Sequence, residues 1–580
     1  MREVLKRSAQ LRALSAPIGF ASMFFPGAGI RISSCAQLII SNEQIEICCC
    51  LRQPCEDHWF PLVICKTSVE KRIDGGLGAI TSSLLSEVFF KDGGVSEIAV
   101  YHPSQATLRL RASWYGIIAD ESAEAGMLMA KGASGNKSCF KCENVVRPGT
   151  GLGGHFRLVS WDCCDASKFV PHTKESMASI FDRLRALAAG PKGPLHEAEK
   201  AVGFTWHPSS IWAQPRLRGI VDPQRVFVDA MHTFIASNGV YQSEMLELVA
   251  CMESCDDCKA KGLSFESMER FLEEIPWRKS CQGLLSERLR TASKTAGYFK
   301  GSAGDCLRMF RMLAFFAESV LLTYDTLRPA AESFLALSWV LELVFSPGVV
   351  HFNAPRTRQG VLAATQRHLE LRKLAYGSLC NRHKHHQEPH IGLDWDLCGR
   401  LNCFVHERKN KEYKKVVRHM PHQAPKQWSR AILERMLLQQ ATSLGEAELY
   451  DHLVRASPVA VEDQLFQELS ALFAGMRELS VSLAAVVSGV RLARDDAFTV
   501  LSGGGEVILL ADMFARCDHG LVAIGKRCVQ VSRTRTTCVC SIEQTYVCAN
   551  LEHVVRRCDY APHGGGNILV LLMKNPALPA

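Results

Sequence analysis

The feature that most constrains this chain is the stretch from Trp114 to Cys142, WYGIIADESAEAGMLMAKGASGNKSCFKC. A short apolar run in it ends on Asp120. A hydrophobic strand that ends on a carboxylate presents that acid at the carboxyl end of the strand, where sheets carry their chemistry. After a loop of small residues, Cys139 and Cys142 form a C-x-x-C pair, which is half of a zinc site. The stretch therefore predicts a strand-end acid close to a metal-binding turn.

Length and composition indicate a globular protein with several domains. The chain has 580 residues, of which 47% are hydrophobic and 22% charged, which excludes the disordered class. The net charge of +8 permits a nucleic-acid partner, but only a local cluster of basic residues would argue for one. The longest apolar stretches, 306–323 and 333–345, carry charges or are short for a bilayer. We therefore expect a soluble protein with no membrane partner.

The 24 cysteines are scattered and form no regular disulfide framework. This distribution favours reduced thiols in an intracellular protein, with a few cysteines acting as metal ligands. The first 25 residues are basic and poor in acids, which keeps mitochondrial targeting open as an alternative location.

Hydrophobic periodicity predicts a strand-rich beginning, a helical middle and a strand-rich end. The segments 60–66, 97–101, 107–112 and 114–120 are predicted as strands of one mixed sheet. Helices are predicted over 79–90, after Thr173, over 305–345 and 359–376, and through 426–495. From Glu506 onward, short apolar runs separated by glycines predict a small β-rich domain.

Three acids are candidates for a site that binds two Mg²⁺ ions, and these are Asp120, Asp229 and Glu407. Two divalent ions about 4 Å apart, held by carboxylates, align a water or a 3′-hydroxyl against a phosphodiester, and Mg²⁺ prefers oxygen ligands. Asp229 ends the apolar run VFVDAMH, just before His232, and Glu407 lies on a predicted helix. The alternative is that each acid caps a helix or lies in a solvated turn.

Cys139 and Cys142 need two more ligands to complete a structural zinc site. Of the nearest suppliers we select Cys164 and His172, ahead of His155 and Cys163. A second candidate is the C-x3-C-x2-C run at residues 251, 255 and 258, which lacks an evident second half. The histidines at 383, 385, 386 and 390 are candidates for metal binding or for contact with phosphates, and the interpretation that we favour is a solvated turn.

Residues 403–419 contain the densest basic cluster, with six Lys or Arg against two acids. If this segment is a helix, the cluster is suited to DNA phosphates, and affinity would then fall steeply with salt. A solvated helix face is an equal alternative. The candidate nucleic-acid-binding residues are Arg408, Lys409, Lys411, Lys414, Lys415 and Arg418.

Five blocks occur in one order between residues 56 and 420: WYGIIADESAEAGMLMAKGASGNKSCFKCENVV, FVPHTKESM, GFTWHPSSIW, VFVDAMHTFIASNGVYQSEM and CFVHERKNKEYKKVVRH. Together they resemble transposase-related proteins of the Plavaka/CACTA type, in a divergent form found in some large protist genomes. The resemblance implies a nuclear, DNA-associated protein with an RNase H-like core, interrupted by a zinc knuckle and a long helical insertion. It also implies a DDE-type acid triad with Mg²⁺ for DNA strand cleavage and transfer.

The resemblance carries over to particular residues. Asp120 matches the acid before the knuckle, Asp229 the D-x-M-H block and Glu407 the last acid of the triad. The family has an Asp-Glu pair shortly before Pro-Gly, and the comparable place here is SMFFPG, which puts Ser22 and Met23 at the acid positions. A triad that lacks one carboxylate should hold its metals poorly.

The expected fold class is α+β, with an RNase H-like mixed sheet, and a homo-oligomer is allowed. The predicted segments are an atypical N-terminal segment (1–56), the first part of the core (57–135), the Cys knuckle (136–175), a helical insertion with the D-x-M-H block (176–380), a return to the core with the basic helix (381–425), a helical region (426–500) and a small β-rich domain (501–580). The leading hypothesis is a transposable-element-derived, DNA-associated protein that is catalytically degenerate. The alternatives are an active metal-dependent DNA strand-cleavage enzyme and a non-enzymatic, zinc-stabilised interaction protein.

Overall fold

A computed structural model shows a mixed α+β protein, which confirms the predicted class. In the segments 18–66 and 97–111 it describes strand backbones without their side chains. The residues that it describes are 18–25, 31–38, 59–66, 70–90, 97–102, 105–111, 114, 116–150, 157–277, 284–345, 357–378, 380–398, 403, 434–435, 438, 452–473, 476–487, 490–502, 505–518, 520–551 and 554–571.

The strands are short in the first half of the chain and long near its end. They are β1 (Ile18–Phe25), β2 (Arg31–Leu38), β3 (Trp59–Lys66), β4 (Glu97–His102), β5 (Gln105–Arg111), β6 (Ile117–Ala119), β7 (Val145–Val146), β8 (Val159–Ser160), β9 (Val226–Val228), β10 (His452–Leu453), β11 (Ser457–Pro458), β12 (Leu479–Ser482), β13 (Ala484–Val487), β14 (Val490–Ala493), β15 (Ala497–Ser502), β16 (Gly505–Cys517), β17 (Gly520–Arg533), β18 (Thr537–Asn550), β19 (Val554–His563) and β20 (Asn567–Leu571).

The α-helices lie mostly between residues 174 and 398. They are α1 (Gly76–Phe90), α2 (Glu121–Leu128), α3 (Lys174–Ala188), α4 (Lys192–Val202), α5 (Pro215–Ile220), α6 (Ala230–Phe234), α7 (Val240–Ser254), α8 (Asp256–Ala260), α9 (Phe265–Glu274), α10 (Glu287–Ala296), α11 (Ala303–Ser319), α12 (Arg328–Phe345), α13 (Arg358–Tyr376), α14 (His383–Leu393), α15 (Trp395–Cys398) and α16 (Gln464–Leu472).

The elements form two compact units. Unit 1 lies within Met1–Thr233 and Asn381–Ala447, and unit 2 within Phe234–Cys380 and Glu448–Ala580. The chain therefore leaves unit 1 for the middle helices and returns to it at Asn381. This division places the C-x-x-C pair and the histidine tract, which are far apart in sequence, in the same unit.

Unit 1 contains a five-stranded mixed sheet with the order β3-β1-β2-β6-β9. β1 pairs with β2 antiparallel and with β3 parallel, β2 pairs with β6 antiparallel, and β6 runs parallel to β9. The residues of β6 and β9 are buried, as expected for a strand covered on both faces. Since β6 and β9 point the same way, the residues that follow them share one edge of the sheet.

The prediction that 97–112 belongs to this sheet is wrong. β4 and β5 pair with each other in a separate antiparallel hairpin, with Ile98 opposite Leu110 and Val100 opposite Leu108. Alternating apolar and basic residues do predict a strand with one polar face. The alternation does not show which neighbouring strand a predicted strand pairs with, because strand pairing depends on how the chain connects the strands.

Helices and strands both contribute to unit 2. α12 is buried on all sides from Phe334 to Val344, as is typical of a helix that is hydrophobic all round. α11 joins the helices to the strands, because Arg311 bonds both Glu342 of α12, at 2.7 Å, and Asp559 of β19, at 3.2 Å. Glu318 of α11 also accepts the backbone N–H of Arg535, between β17 and β18, at 2.8 Å.

The strands of unit 2 include an eight-stranded sheet with the order β11-β12-β16-β15-β19-β20-β18-β17. β16 also pairs with β17, so six of these strands close into a ring in which every pairing is antiparallel. Its main core contains Phe498 and Phe514, whose rings stack 6.5 Å apart. Closure leaves those six strands with few free edges, which are the usual route to aggregation.

The helical prediction for 426–500 is wrong over much of its described part. α16 is helical as predicted, but 479–502 form the four strands β12–β15. β13 and β14 hold runs of four residues, AAVV and VRLA. A run this short does not distinguish a buried strand from part of a helix. In this structure, packing against the closed sheet stabilises the strand conformation.

Among the described residues, no helix is both long enough and apolar enough to cross a membrane.

Candidate metal centre

The C-x-x-C turn of unit 1 holds two thiols inside the protein. Cys139 and Cys142 are 5% and 1% exposed, and the Cys139 sulfur accepts the backbone N–H of Lys141 at 3.4 Å. Cys142 forms an isolated antiparallel bridge with Pro171, which fastens the turn to the loop that leads into α3. Two buried thiols on one such turn can provide half of a structural zinc site.

The second half of the site comes from α14, more than 240 residues further along the chain. His386 and His390 are four positions apart on this helix, so both rings lie on the same face. They are 1% and 2% exposed. The interpretation of this tract as a solvated turn is therefore wrong, since His383 and His385 are buried as well.

The ligand atoms of the two halves converge on one point. The Nε2 atom of His390 lies 3.4 Å from the Cys139 sulfur, 3.3 Å from the Cys142 sulfur and 3.2 Å from the Nε2 atom of His386. A neutral imidazole nitrogen has either one proton or one lone pair to offer, so it cannot make three hydrogen bonds at once. All four ligand atoms lie within 4.8 Å of one another, and one bound cation would account for this convergence.

These distances fit a tetrahedral metal ion. With metal–sulfur bonds of about 2.3 Å and metal–nitrogen bonds of about 2.0–2.1 Å, neighbouring ligand atoms lie about 3.3–3.8 Å apart. The three printed contacts of His390 are close to this range. Two thiols and two imidazoles use all four positions, which is typical of a structural site and leaves none for a substrate. The group can hold a metal ion and is compatible with zinc.

The pKa values of the two thiols are shifted in opposite directions. Burial raises the pKa of the Cys139 thiol, but the hydrogen bond from Cys142 and the nearby rings of His390 and His386 outweigh it and hold the pKa well below its ordinary value. The pKa of Cys142 is raised well above its ordinary value, first by burial and then by Cys139. A cation at this point would favour the thiolate form of both.

An apolar shell and a buried ion pair surround the four ligands. The Phe169 ring lies 4.7 Å from the His386 ring, measured between centroids, and 5.8 Å from that of His390. Lys141, inside the C-x-x-C turn, donates to both oxygens of Asp394, at 2.8 and 2.9 Å. Burial raises the pKa of Asp394, and Lys141 opposes that shift. The ion pair thus ties the turn to the end of α14 independently of any metal.

The two other ligands that we selected, Cys164 and His172, do not belong to the converging group. The Cys164 sulfur lies 3.8 Å from the backbone oxygen of Asp162. His172 is buried beside the Phe204 ring, and its Nδ1 atom bonds the Ser176 hydroxyl at 3.2 Å. Burial lowers the pKa of His172 to about 4. Proximity in sequence suggested these residues, whereas the residues that converge with Cys139 and Cys142 are His386 and His390 of α14.

Asp120 and Asp229 do lie at strand ends, as predicted. β6 and β9 are parallel neighbours with Ala119 opposite Val228, so the two acids follow adjacent strands at the same edge of the sheet. Asp120 caps α2, since its Oδ1 atom accepts the Ala123 N–H at 2.8 Å and the Ser122 hydroxyl at 2.7 Å. The alternative interpretation, a helix cap, therefore describes Asp120.

Asp229 accepts hydrogen bonds from several directions. Its oxygens accept the backbone N–H groups of Met231, at 3.3 Å, and of His232, at 3.0 Å, at the start of α6. They also accept the N–H of Cys403 at 2.8 Å, and the His232 Nδ1 atom lies 2.5 Å away. The Asp229, His232 and Cys403 side chains form a second group with ligand-type atoms within 4.8 Å. These hydrogen bonds already occupy both oxygens of Asp229.

Asp229→Asn should make the protein less stable at neutral pH by about 1–3 kcal/mol, because a buried hydrogen-bond acceptor is lost. Burial raises the pKa of Asp229, but His232 and the N–H of Cys403 lower it more, so the net pKa is below the ordinary 3.8. Its contribution is therefore present above pH 3.8 and lost as the pH falls through the lowered value. Urea unfolding from neutral to acidic pH measures both effects.

The matched control is Asp120→Asn, since asparagine caps a helix about as well as aspartate does, and a change within about 0.5 kcal/mol is expected. Equal free energies of unfolding for the Asp229→Asn variant and the unaltered protein across this pH range would show that the Asp229 carboxylate does not stabilise the fold.

A third carboxyl group at this edge escaped the sequence analysis. Glu124, one turn into α2, is 2% exposed and accepts the backbone N–H of Ala119 at 3.2 Å. Burial, with further contributions from Asp229 and Asp120, raises its pKa well above the ordinary value. Glu124 lies four residues, or about one helical turn, after Asp120, and this spacing was the available signal in the sequence.

Several predicted residues lie outside the part of the chain that the structure describes. These include Glu407 and the six basic residues Arg408, Lys409, Lys411, Lys414, Lys415 and Arg418. Ser22 and Met23 lie on β1, where the backbone alone is described. Among the described residues, Cys251, Cys255 and Cys258 do not converge with a fourth metal-ligand residue.

No protein-family model matches this sequence, and no curated protein is significantly similar to it. The fold and the site define a mixed α+β protein with a buried Cys₂His₂ group that can hold a metal ion.

Proposed function

We propose that this chain is a zinc-stabilised, transposable-element-derived protein that associates with DNA and has lost strand-transfer activity. The observation that carries the zinc part of the proposal is the convergence of Cys139, Cys142, His386 and His390 on one point. The transposase part rests on the ordered sequence blocks between residues 56 and 420. When bound there, zinc would act as a structural cross-link between the knuckle and the segment that returns to unit 1. The RNase H-like identity of the mixed sheet and the nuclear location belong to this proposal.

The ligand set supports zinc over the harder divalent cations. Thiolate and imidazole ligands favour zinc, whereas Mg²⁺ takes carboxylates and water. The four ligands are buried, so a bound ion would be shielded from solvent. Such closed sites contribute directly to folding.

The state of the strand-end acids supports loss of catalysis. Both oxygens of Asp229 and the Oδ1 atom of Asp120 accept hydrogen bonds from backbone N–H groups at helix starts. The place of the expected first acid holds Ser22 and Met23. Mg²⁺ sites need carboxylate oxygens that are free to bind the ion. We therefore propose that the sheet is kept as a scaffold for DNA association.

Binding of a labelled DNA duplex, followed by fluorescence anisotropy, tests the DNA part of the proposal. The full-length zinc-loaded protein should bind, with affinity falling steeply between about 50 and about 200 mM salt. Each phosphate contact removed should lower the slope of log K against log[salt] by about 0.9. The test variant is Lys411→Ala, Lys414→Ala and Lys415→Ala. The control variant removes the same charge at exposed lysines elsewhere, by Lys168→Ala, Lys192→Ala and Lys259→Ala.

A lower salt slope in the test variant alone supports the proposal. Equal slopes in both variants would place DNA contact elsewhere, and no salt-dependent binding would refute DNA association.

The same samples are incubated with DNA and Mg²⁺ or Mn²⁺. Cleavage that Asp120→Asn abolishes would instead support the active strand-cleavage enzyme.

A further inference from the structure

Unit 2 contains a cysteine motif that the metal centre does not use. Cys251 lies in the last turn of α7, Cys255 lies between α7 and α8, and Cys258 lies within α8. Zinc binding at this motif was expected to need a fourth ligand, and the described residues bring none to it. All three cysteines are free thiols.

The backbone places Cys255 and Cys258 as a pair across one helical turn. Cys255 is the N-cap residue of α8, with φ −73° and ψ 123°, and its carbonyl accepts the N–H of Lys259 at 3.0 Å. Cys258 is the third residue of α8 and so lies one turn beyond this N-cap, while the Cys255 side chain makes no capping hydrogen bond. Residues three apart in a helix have Cα atoms about 5 Å apart, within the range of about 4.4–6.8 Å that a disulfide spans.

The surroundings of the two thiols differ in the way that thiol–disulfide exchange requires. The Cys255 sulfur is partly exposed and lies 3.2 Å from the Thr326 hydroxyl, whereas Cys258 is fully buried. The bond from Thr326, followed by those from the thiol and N–H of Cys258, holds the pKa of Cys255 below its ordinary value. Burial, followed by the bond with Cys255, raises the pKa of Cys258 to about 12.

We propose that Cys255 and Cys258 form a redox-active dithiol that exchanges with low-molecular-weight disulfides. The Cys255 thiolate attacks one sulfur of the disulfide, that S–S bond breaks, and one thiolate leaves and takes up a proton. The Cys258 thiol then loses its proton and attacks the Cys255 sulfur, which releases the second thiol. The small disulfide is reduced by two electrons, and the protein gains a Cys255–Cys258 disulfide.

The charges beside the motif select among such disulfides. Asp256 and Asp257 lie between the two cysteines, and both are exposed. Their negative field raises the local concentration of cations and lowers that of anions. A cationic disulfide such as cystamine should therefore react faster at low salt than oxidised glutathione, which is anionic.

The test equilibrates the full-length protein with glutathione buffers of graded oxidised-to-reduced ratio, then traps free thiols by alkylation for peptide mass spectrometry. A Cys255–Cys258 disulfide is expected in the unaltered protein and in the matched control Cys251→Ser. Cys258→Ser should stop at a mixed disulfide of glutathione with Cys255. Cys255→Ser should leave Cys258 unmodified. Circular dichroism checks that each variant is folded.

A second measurement needs no variant and follows the rate of Cys255 alkylation against pH in the unaltered protein. The midpoint should fall below the value of about 8.5 for a free cysteine. The proposal is overturned if the midpoint is at or above 8.5, or if no Cys255–Cys258 disulfide forms at any ratio. Modification of Cys258 in the Cys255→Ser variant would also overturn it, because Cys255 would not then be the attacking thiol.

Discussion

Removal of zinc with a strong chelator is expected to destabilise unit 1. A ligand present at 1,000 times its Kd stabilises the folded state by about 4 kcal/mol, and the buried Cys₂His₂ group would lose that contribution. The melting temperature, followed by circular dichroism, should fall on chelation and recover when zinc, but not Mg²⁺, is added back. The melting temperature should fall because the ion joins residues 139–142 to 386–390 across a very long loop.

Cys142→Ala should behave like the chelated protein and should not respond to added zinc. The matched control is Cys164→Ala, which removes a thiol from the same region but outside the converging group. The control should keep both its melting temperature and its response to chelator. An unchanged melting temperature after complete removal of metal would contradict a structural role for the site.

The second large effect is expected at a fully buried charge network in unit 2. Glu244 of α7 bonds the Nε2 atom of His368 at 2.8 Å and the Arg372 guanidinium at 3.3 Å, and all three side chains are 0% exposed. Glu244→Leu leaves the positive charge of Arg372 buried with one partner fewer. Removing one partner of a buried pair costs about 3–5 kcal/mol, and urea unfolding measures the loss.

The control on the same helix is Glu253→Gln, which breaks the partly exposed pairs with Lys294 and Arg290 and should cost about 0–1 kcal/mol. Replacing the three network residues together, by Glu244→Leu, His368→Leu and Arg372→Met, should restore much of the lost stability, since no charge of the trio is then left buried. Equal effects of Glu244→Leu and Glu253→Gln would refute the importance of the buried network.

The same network sets a pH dependence. Burial raises the pKa of Glu244, but His368 and Arg372 outweigh it and lower the pKa below the ordinary 4.5. The stability that this carboxylate contributes is therefore complete above pH 4.5 and is lost as the pH falls through the lowered value. The Glu244→Leu variant should lose less stability on acidification than the unaltered protein.

The strand-end acids and the thiol half-site were predictable from sequence because their signals are local. An apolar run that stops at Asp120 or Asp229 indicates a strand end, and C-x-x-C spacing places two thiols on one turn. Both signals depend on a few consecutive residues. The parallel pairing of β6 with β9 then brings the acids to one edge.

The histidine half-site was not found because its position depends on chain topology. His386 and His390 have helical spacing, but Pro389 between them favours a turn over a helix interior. Nothing near Cys142 in sequence points to residues about 250 positions away. The sequence signal that could have identified them is a pair of histidines four positions apart.

The proposal that Cys139, Cys142, His386 and His390 bind zinc is tested most directly by the zinc content of the protein and of two variants, measured by elemental analysis. One variant is His386→Ala with His390→Ala, and the other is Cys164→Ala with His172→Ala. We expect zinc at one equivalent per chain in the unaltered protein, the same amount in the second variant and loss of that equivalent in the first. Loss in the second variant with retention in the first would contradict the ligand set, and so would the absence of zinc from all three proteins.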